Sequence, residues 1–277
     1  MRGCMERAVF LRDFSNESLE SESAFDFSAC PWSIKDALFA YVYSIALFLA
    51  LFFWLAVGYS LFRLIAPQQF VSFFVSQMEA LKYFYIIFVF YASLFLIIRS
   101  NILKKYHIKN LMFFIRKDKV LSDIFYGAKS YLKFFVIMTT GIIMIILIMT
   151  MWDMVFSSGV RGKLDVFFNA AQLEKRVVVS HAHGVFGAII LLILAPFFEE
   201  LYFRGCLYRA LRARYAKGTA IVVSSFIFSL LHGYFFIFIY VFFIGIILAC
   251  IYDKRRSLVA PLTFHMINNL AVILFFL

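Results

Sequence analysis

Proline is scarce in this chain, four in 277 residues, and charge is sparse, with Asp, Glu, Lys and Arg at 16% against 64% hydrophobic residues. Soluble domains carry about a quarter charged residues, so an ordinary soluble fold is excluded. The four cysteines, Cys4, Cys30, Cys206 and Cys250, form no C-x-x-C pair and no zinc-finger spacing. They are read as free thiols without a disulfide framework. No 20–50-residue repeat and no second, soluble domain is present. The net charge of +11 comes with no basic stripe outside the segments that flank apolar runs. It therefore reads as loops facing anionic lipid headgroups, and nucleic acid is excluded as a partner.

What is abundant is apolar sequence, with 38 phenylalanines among it. Long apolar segments separated by short charged loops predict an all-α, polytopic transmembrane helical bundle of about seven spans. The spans are expected near Ala37–Leu61, Leu81–Ile98, Tyr131–Trp152, Gly184–Leu207, Thr219–His232, Phe235–Tyr252 and Leu258–Leu277, the fifth and sixth abutting at His232-Gly233-Tyr234. Residues 1–35 read as a polar cytoplasmic tail, poorly ordered, whose acidic residues and lack of an early apolar core argue against a cleaved signal peptide. Trp32 is expected at the membrane interface ahead of the first span. Residues 36–180 form N-terminal membrane helices with a basic loop at 99–133, and residues 181–277 a C-terminal core. With the N-terminus in the cytoplasm, 21 of the 27 Lys and Arg residues fall on the inner side and 6 elsewhere, so positive charge predicts that orientation. Within the basic loop, Leu111 to Ile115 read either as an amphipathic segment on the headgroups or as a plain connector. His181 and His183 read as solvated loop histidines.

The polar residues of the C-terminal third are the informative ones. Glu199 and Glu200 follow an unbroken apolar run from Val185 to Ala195, where a charge costs about 2.5–3.5 kcal/mol even on a lenient insertion scale. On a helix, Glu200 and Arg204 share a face, while Glu199 points about 100° away. One carboxylate can then be neutralised and the other left for a second task; a helix-end salt bridge near the membrane surface is the plainer alternative. Phe228 and His232 share a second helix face, and His265 and Asn269 a third. Each could serve alone as interhelical glue. Counting from Arg209 and Arg256, Glu199 and His265 lie roughly 14–15 Å in from cytoplasmic charge, and His232 about one turn deeper from Lys217. Three helices can converge on one polar cavity opening toward the cytoplasm.

E-E-x-x-x-R from Glu199 to Arg204, F-x-x-x-H from Phe228 to His232 and H-x-x-x-N from His265 to Asn269, in that order on successive helices, resemble the CPBP family. This family comprises the CAAX prenyl endopeptidases and the bacteriocin-processing or immunity proteins, intramembrane proteases of glutamic type. The resemblance covers residues 185–277. The family pattern F-x-x-G-x-x-x-G-x-x-Y is similar to Phe242, Gly245, Ala249 and Tyr252, with Ala in place of the second Gly; the small-x-x-x-small face for close helix approach is kept. The family's Thr-Gly-Ser-Leu turn reads Arg255-Arg256-Ser257-Leu258, so a different turn geometry is expected.

The resemblance implies an intramembrane endopeptidase acting on a membrane-associated substrate, with a prenylated C-terminus as one candidate. It implies that Glu199 and His232 activate a water, that His265 and Asn269 form the oxyanion hole, and that Glu200, Arg204 and Phe228 support them. The residue types agree, since a Glu in a low-dielectric cavity is a stronger base and His and Asn can both donate to one oxygen. No metal or cofactor is expected; zinc on Glu199 or Glu200, His232 and His265 is the alternative. The chain lacks H-E-x-x-H and the G-x-G-D of aspartyl intramembrane proteases. Its Gly58-Tyr59-Ser60 is a lone partial match to the serine rhomboid pattern near an outer end. A non-catalytic immunity or scaffold protein that retains the fold, and a proton-coupled transporter, are the other readings; no inverted repeat favours the transporter. Short loops and Phe-rich spans point to a multi-pass protein of a bacterial inner membrane.

Overall fold

A computed structural model of the chain describes residues 30–65, 88–106, 114–156, 184–232 and 238–276, with residues 27, 67, 108 and 169. Among the described residues the structure is helical and no strand occurs. The helices are α1, Ile34–Ile65; α2, residues 88–98 with a π-helical continuation at Arg99–Lys104; α3, Val120–Phe156; α4, residues 184–212; α5, Lys217–Leu231; α6, Phe238–Arg255; and α7, Val259–Phe276. The joint between the fifth and sixth apolar segments, residues 233–237, lies outside the described residues, as do His181 and His183.

Two helices, α1 and α3, are long and apolar enough to cross a membrane. Their composition is not explained by burial: Ile142 through Ile148 on α3 are all exposed. Seven consecutive exposed apolar residues mark a surface for lipid or for another protein. The third segment starts earlier than its apolar run does, because α3 begins at Val120, inside the basic stretch, after a 3₁₀ turn at Lys117–Lys119.

The chain divides into two compact units, one of residues 1–114 and 181–216, the other of residues 115–180 and 217–277. In the first, α1 packs on α4 and on the π-helical end of α2. The start of α1 is a capping box: Ser33 Oγ accepts from the Asp36 amide at 3.1 Å, and Asp36 Oδ2 accepts from the Ser33 amide at 2.8 Å. Lys105 and Tyr106 at the end of α2 donate to the same carboxylate, each at 2.7 Å. Trp32 is fully buried and donates its indole N–H to the Cys206 carbonyl at 2.9 Å. The expected interfacial tryptophan is therefore a core residue, because the indole nitrogen has a partner inside the unit. Phe27 and Cys30 are buried with it, so the end of the polar tail is part of the packed unit. Burial pushes the Cys30 thiol up to about 11, against the pull of the Arg209 charge. Cys30, Cys206 and Cys250 are free thiols, and Cys4 lies outside the described residues.

In the second unit, α5 packs on α6, α6 on α7 and α7 on α3. The helix ends are tied by charge. Asp123, fully buried, receives Arg255 Nε at 2.5 Å, and Lys217 reaches Asp253 at 2.6 Å. Arg256 terminates α6 with φ 57° and donates its amide to the Tyr252 carbonyl at 2.8 Å. This is the left-handed helix stop that glycine usually fills. The Arg255-Arg256 turn thus holds a left-handed residue where the family pattern has Gly, with arginine bearing a cost of about 1 kcal/mol.

Glycine does matter on α3. A Cβ on Gly127 would stand 2.4 Å from the Ala260 carbonyl oxygen and 2.9 Å from Thr263 Cβ, so α3 and α7 touch there backbone to backbone. Gly127→Ala is expected to cost about 1–3 kcal/mol by overpacking. Gly141→Ala, where nothing lies within 4 Å, serves as the control and is expected to be neutral or stabilising. Thermal unfolding of both variants in detergent checks this; equal midpoints would refute the contact.

Candidate active site

Helix α4 carries the paired carboxylates, and it is not a regular α-helix. It is α-helical over Gly184–Ile189, Ala195–Glu200 and Arg209–Arg212, and π-helical over Ile190–Leu194 and Leu201–Tyr208. Pro196 accounts for the first wide turn: its ring clashes with the carbonyl four residues back and it has no N–H to bond there. The preceding turn opens, and the Ala195 amide bonds to Ile190, five residues away. Such π segments concentrate at functional sites. Glu199 and Glu200 sit in the short α stretch between the two.

Glu200 and Arg204 form the expected i,i+4 pair at 3.1 Å, with side chains 1% and 2% exposed. Glu199 takes a different direction. Its Oε1 accepts from the Tyr91 hydroxyl of α2 at 2.5 Å. The residues used above as outer landmarks need correction. Arg209 is as buried as Arg204, with its guanidinium over the rings of Phe27, Trp32 and Phe114 at 5.7–5.9 Å. Depths counted from Arg209 do not start at a solvated charge. Beside Glu199 lies an apolar cavity of about 220 Å³, bounded by Phe88, Phe95, Leu194 and Phe198 and by the Tyr91 ring.

The other half of the predicted set belongs to the second unit. Phe228 is buried on α5 and stands between two histidines: its ring is 4.4 Å from that of His232 and 6.0 Å, edge-on, from that of His265. The last turn of α5 tightens, with the His232 amide bonding to Ser229. His232 Nδ1 then meets the Phe228 carbonyl at 2.7 Å. A carbonyl only accepts, so Nδ1 is the donor in this contact. Gly245 lets this face approach: a Cβ there would be 3.0 Å from Ser225 Cβ and 3.3 Å from the Phe228 ring. Ala249, on the same stripe, is fully buried, as the small-x-x-x-small spacing requires.

His265 is 4% exposed on α7. One turn on, the two asparagines differ. Asn268 is buried and its Oδ1 accepts from the Tyr240 hydroxyl at 2.7 Å, whereas Asn269 is half-buried. The structure thus gathers Phe228, His232 and His265 in one unit and Glu199, Glu200 and Arg204 in the other. Sequence reasoning missed Tyr91, Tyr240 and Asn268; only the tyrosines' position in apolar segments could have flagged them. Within each unit taken by itself, no three His, Cys, Asp or Glu side chains among the described residues gather as a metal site.

Among the described residues the chain is helical, two of its helices are long and apolar enough to cross a bilayer, and the Glu200 carboxylate is buried, features consistent with the class of helical membrane proteins. Residues 181–271 match the family model described as type II CAAX prenyl endopeptidase Rce1-like, and the resemblance to the CPBP intramembrane proteases is borne out over that segment. No curated protein matches the chain. No solved structure matches it either.

The buried pair generates a stability prediction. Glu200→Gln removes the carboxylate paired with the buried Arg204 and is expected to cost about 3–5 kcal/mol. Replacing both residues, by Gln and Met, is expected to recover most of the loss. Denaturation in detergent checks this; a Glu200→Gln protein as stable as the parent would refute the pairing.

Proposed function

We propose that the chain is an intramembrane endopeptidase that hydrolyses a peptide bond in a membrane-associated substrate. The observation that carries this reading is the family match, which implies protease activity and spans Glu199, His232, His265 and Asn269 in motif order. Glu199 and His232 take a proton from a water as it attacks the scissile carbonyl. With Nδ1 of His232 engaged at the Phe228 carbonyl, Nε2 is the ring nitrogen assigned to that role. His265 and Asn269 donate to the oxygen that becomes negatively charged. The proton then passes to the leaving amine as the C–N bond breaks, giving a free carboxylate and a free amine. Glu200 and Arg204 balance charge beside Glu199, and Phe228 packs both histidines.

The substrate presents an apolar, lipid-held segment, and a prenylated C-terminal peptide fits this description. The apolar cavity flanking Tyr91 would receive such a group. No metal takes part: an amide such as that of Asn269 is a poor zinc ligand, and an oxyanion role uses His265 as a donor instead. The charge distribution supports a multi-pass chain with its N-terminus in the cytoplasm, and the short loops and Phe-rich spans support a bacterial inner membrane.

The purified chain is tested on a fluorogenic peptide ending in a farnesylated Cys-aliphatic-aliphatic-X sequence. Glu199→Gln is expected to lower turnover at least 10³-fold with its unfolding midpoint unchanged, and activity is expected to survive chelator. Near-parental turnover by Glu199→Gln would end the assignment. Loss of activity in chelator, restored by zinc, would establish the metal enzyme instead.

A further inference from the structure

The catalytic reading leaves the group that orients Glu199 undefined. A glutamate has three rotatable bonds, and a base must be held within about 0.5 Å of its working position. On its own helix Glu199 has Glu200 and Arg204 as charged neighbours; those two are paired with each other, and Arg204 also feels the Glu199 charge. From α1, Tyr41 is near enough to feel the Glu199 charge. From α2, Tyr91 touches it, hydroxyl to Oε1 at 2.5 Å.

The ring bearing that hydroxyl is itself fixed on one side. It stacks on Phe198, the residue just before Glu199, with centroids 5.6 Å apart and planes 15° from parallel. The ring also borders the apolar cavity, whose lining of Phe88, Phe95, Ile190 and Leu194 carries no polar side chain. At Oε1 the tyrosine hydroxyl is the donor. One aromatic residue thus grips α4 at two consecutive positions, by stacking at Phe198 and by a charge-assisted hydrogen bond at Glu199.

We propose that Tyr91 is a positioning residue for Glu199, holding its carboxylate through Oε1 in the place where it acts on the water. The proposal rests on the protease reading for its consequence, and its geometry stands apart from it. A satisfied core tyrosine is the alternative, in which the hydroxyl merely finds an acceptor.

Tyr91→Phe separates the two, since it keeps the stacked ring and the cavity and removes one oxygen. Isotope-edited infrared difference spectra, parent minus Glu199→Gln, isolate the carboxylate bands of Glu199 in the full-length protein. Tyr91→Phe is expected to shift these bands. On the farnesylated peptide it is expected to lower kcat about tenfold or more, the loss of roughly 1.4 kcal/mol, with KM within twofold. Tyr41→Phe is expected to do neither. Unchanged Glu199 bands in Tyr91→Phe, or equal shifts in both variants, would overturn the positioning role. So would an unchanged kcat in a hydrolytically active protein. If the parent chain does not hydrolyse the peptide, the protease reading fails, and the infrared comparison still decides whether Tyr91 holds Glu199.

Discussion

A guanidinium and a carboxylate held away from water form the interaction on which the rest of this chain depends. Glu200 and Arg204 are nearly inaccessible and 3.1 Å apart. Neither charge could stay in an apolar interior without the other. Beside this pair α4 carries a second carboxylate, Glu199, which accepts a hydrogen bond from Tyr91. The first unit is built to tolerate this cost. Arg209 lies among Phe27, Trp32 and Phe114, and Trp32 anchors the chain entering α1 to the carbonyl of Cys206. Aromatic faces and one indole hydrogen bond surround the polar stretch of α4, where water would surround it in a soluble enzyme.

The second unit solves a different problem with similar economy. Two histidines pack on one phenylalanine, and a helix terminus supplies an acceptor for one ring nitrogen. The final turn of α5 leaves the Phe228 carbonyl available, and His232 uses it. Ion pairs at the helix ends, Asp123 with Arg255 and Lys217 with Asp253, hold α3, α5 and α6 in register while their apolar flanks remain exposed to what surrounds them.

Much of this was legible in the residues, for physical reasons that can be named. Glu200 and Arg204 were readable because four-residue spacing fixes a shared face, and the pair survives even where the helix widens after Glu200. Phe228, His232 and His265 were readable for the same reason and because apolar sequence makes polar residues conspicuous. Tyr91 was not readable, since its partner is 108 residues away and a tyrosine in an apolar segment announces nothing. Trp32 and Arg209 were misread by position: an aromatic before a span and an arginine after one both look interfacial, yet each has partners inside the unit. The Arg256 turn was legible only as a departure from pattern. That arginine would accept the left-handed conformation is a property of the helix stop and not of the residue type.

The central claim is that this chain delivers a water molecule to a peptide bond. Incubating the purified, folded protein in ¹⁸O-water with a synthetic peptide ending in a farnesylated Cys-aliphatic-aliphatic-X sequence tests this most directly. The account predicts release of the intact C-terminal tripeptide and, by mass spectrometry, one ¹⁸O atom in the new carboxylate of the lipidated fragment. An uncleaved peptide after incubation with folded protein, in detergent and in bilayers alike, would contradict it.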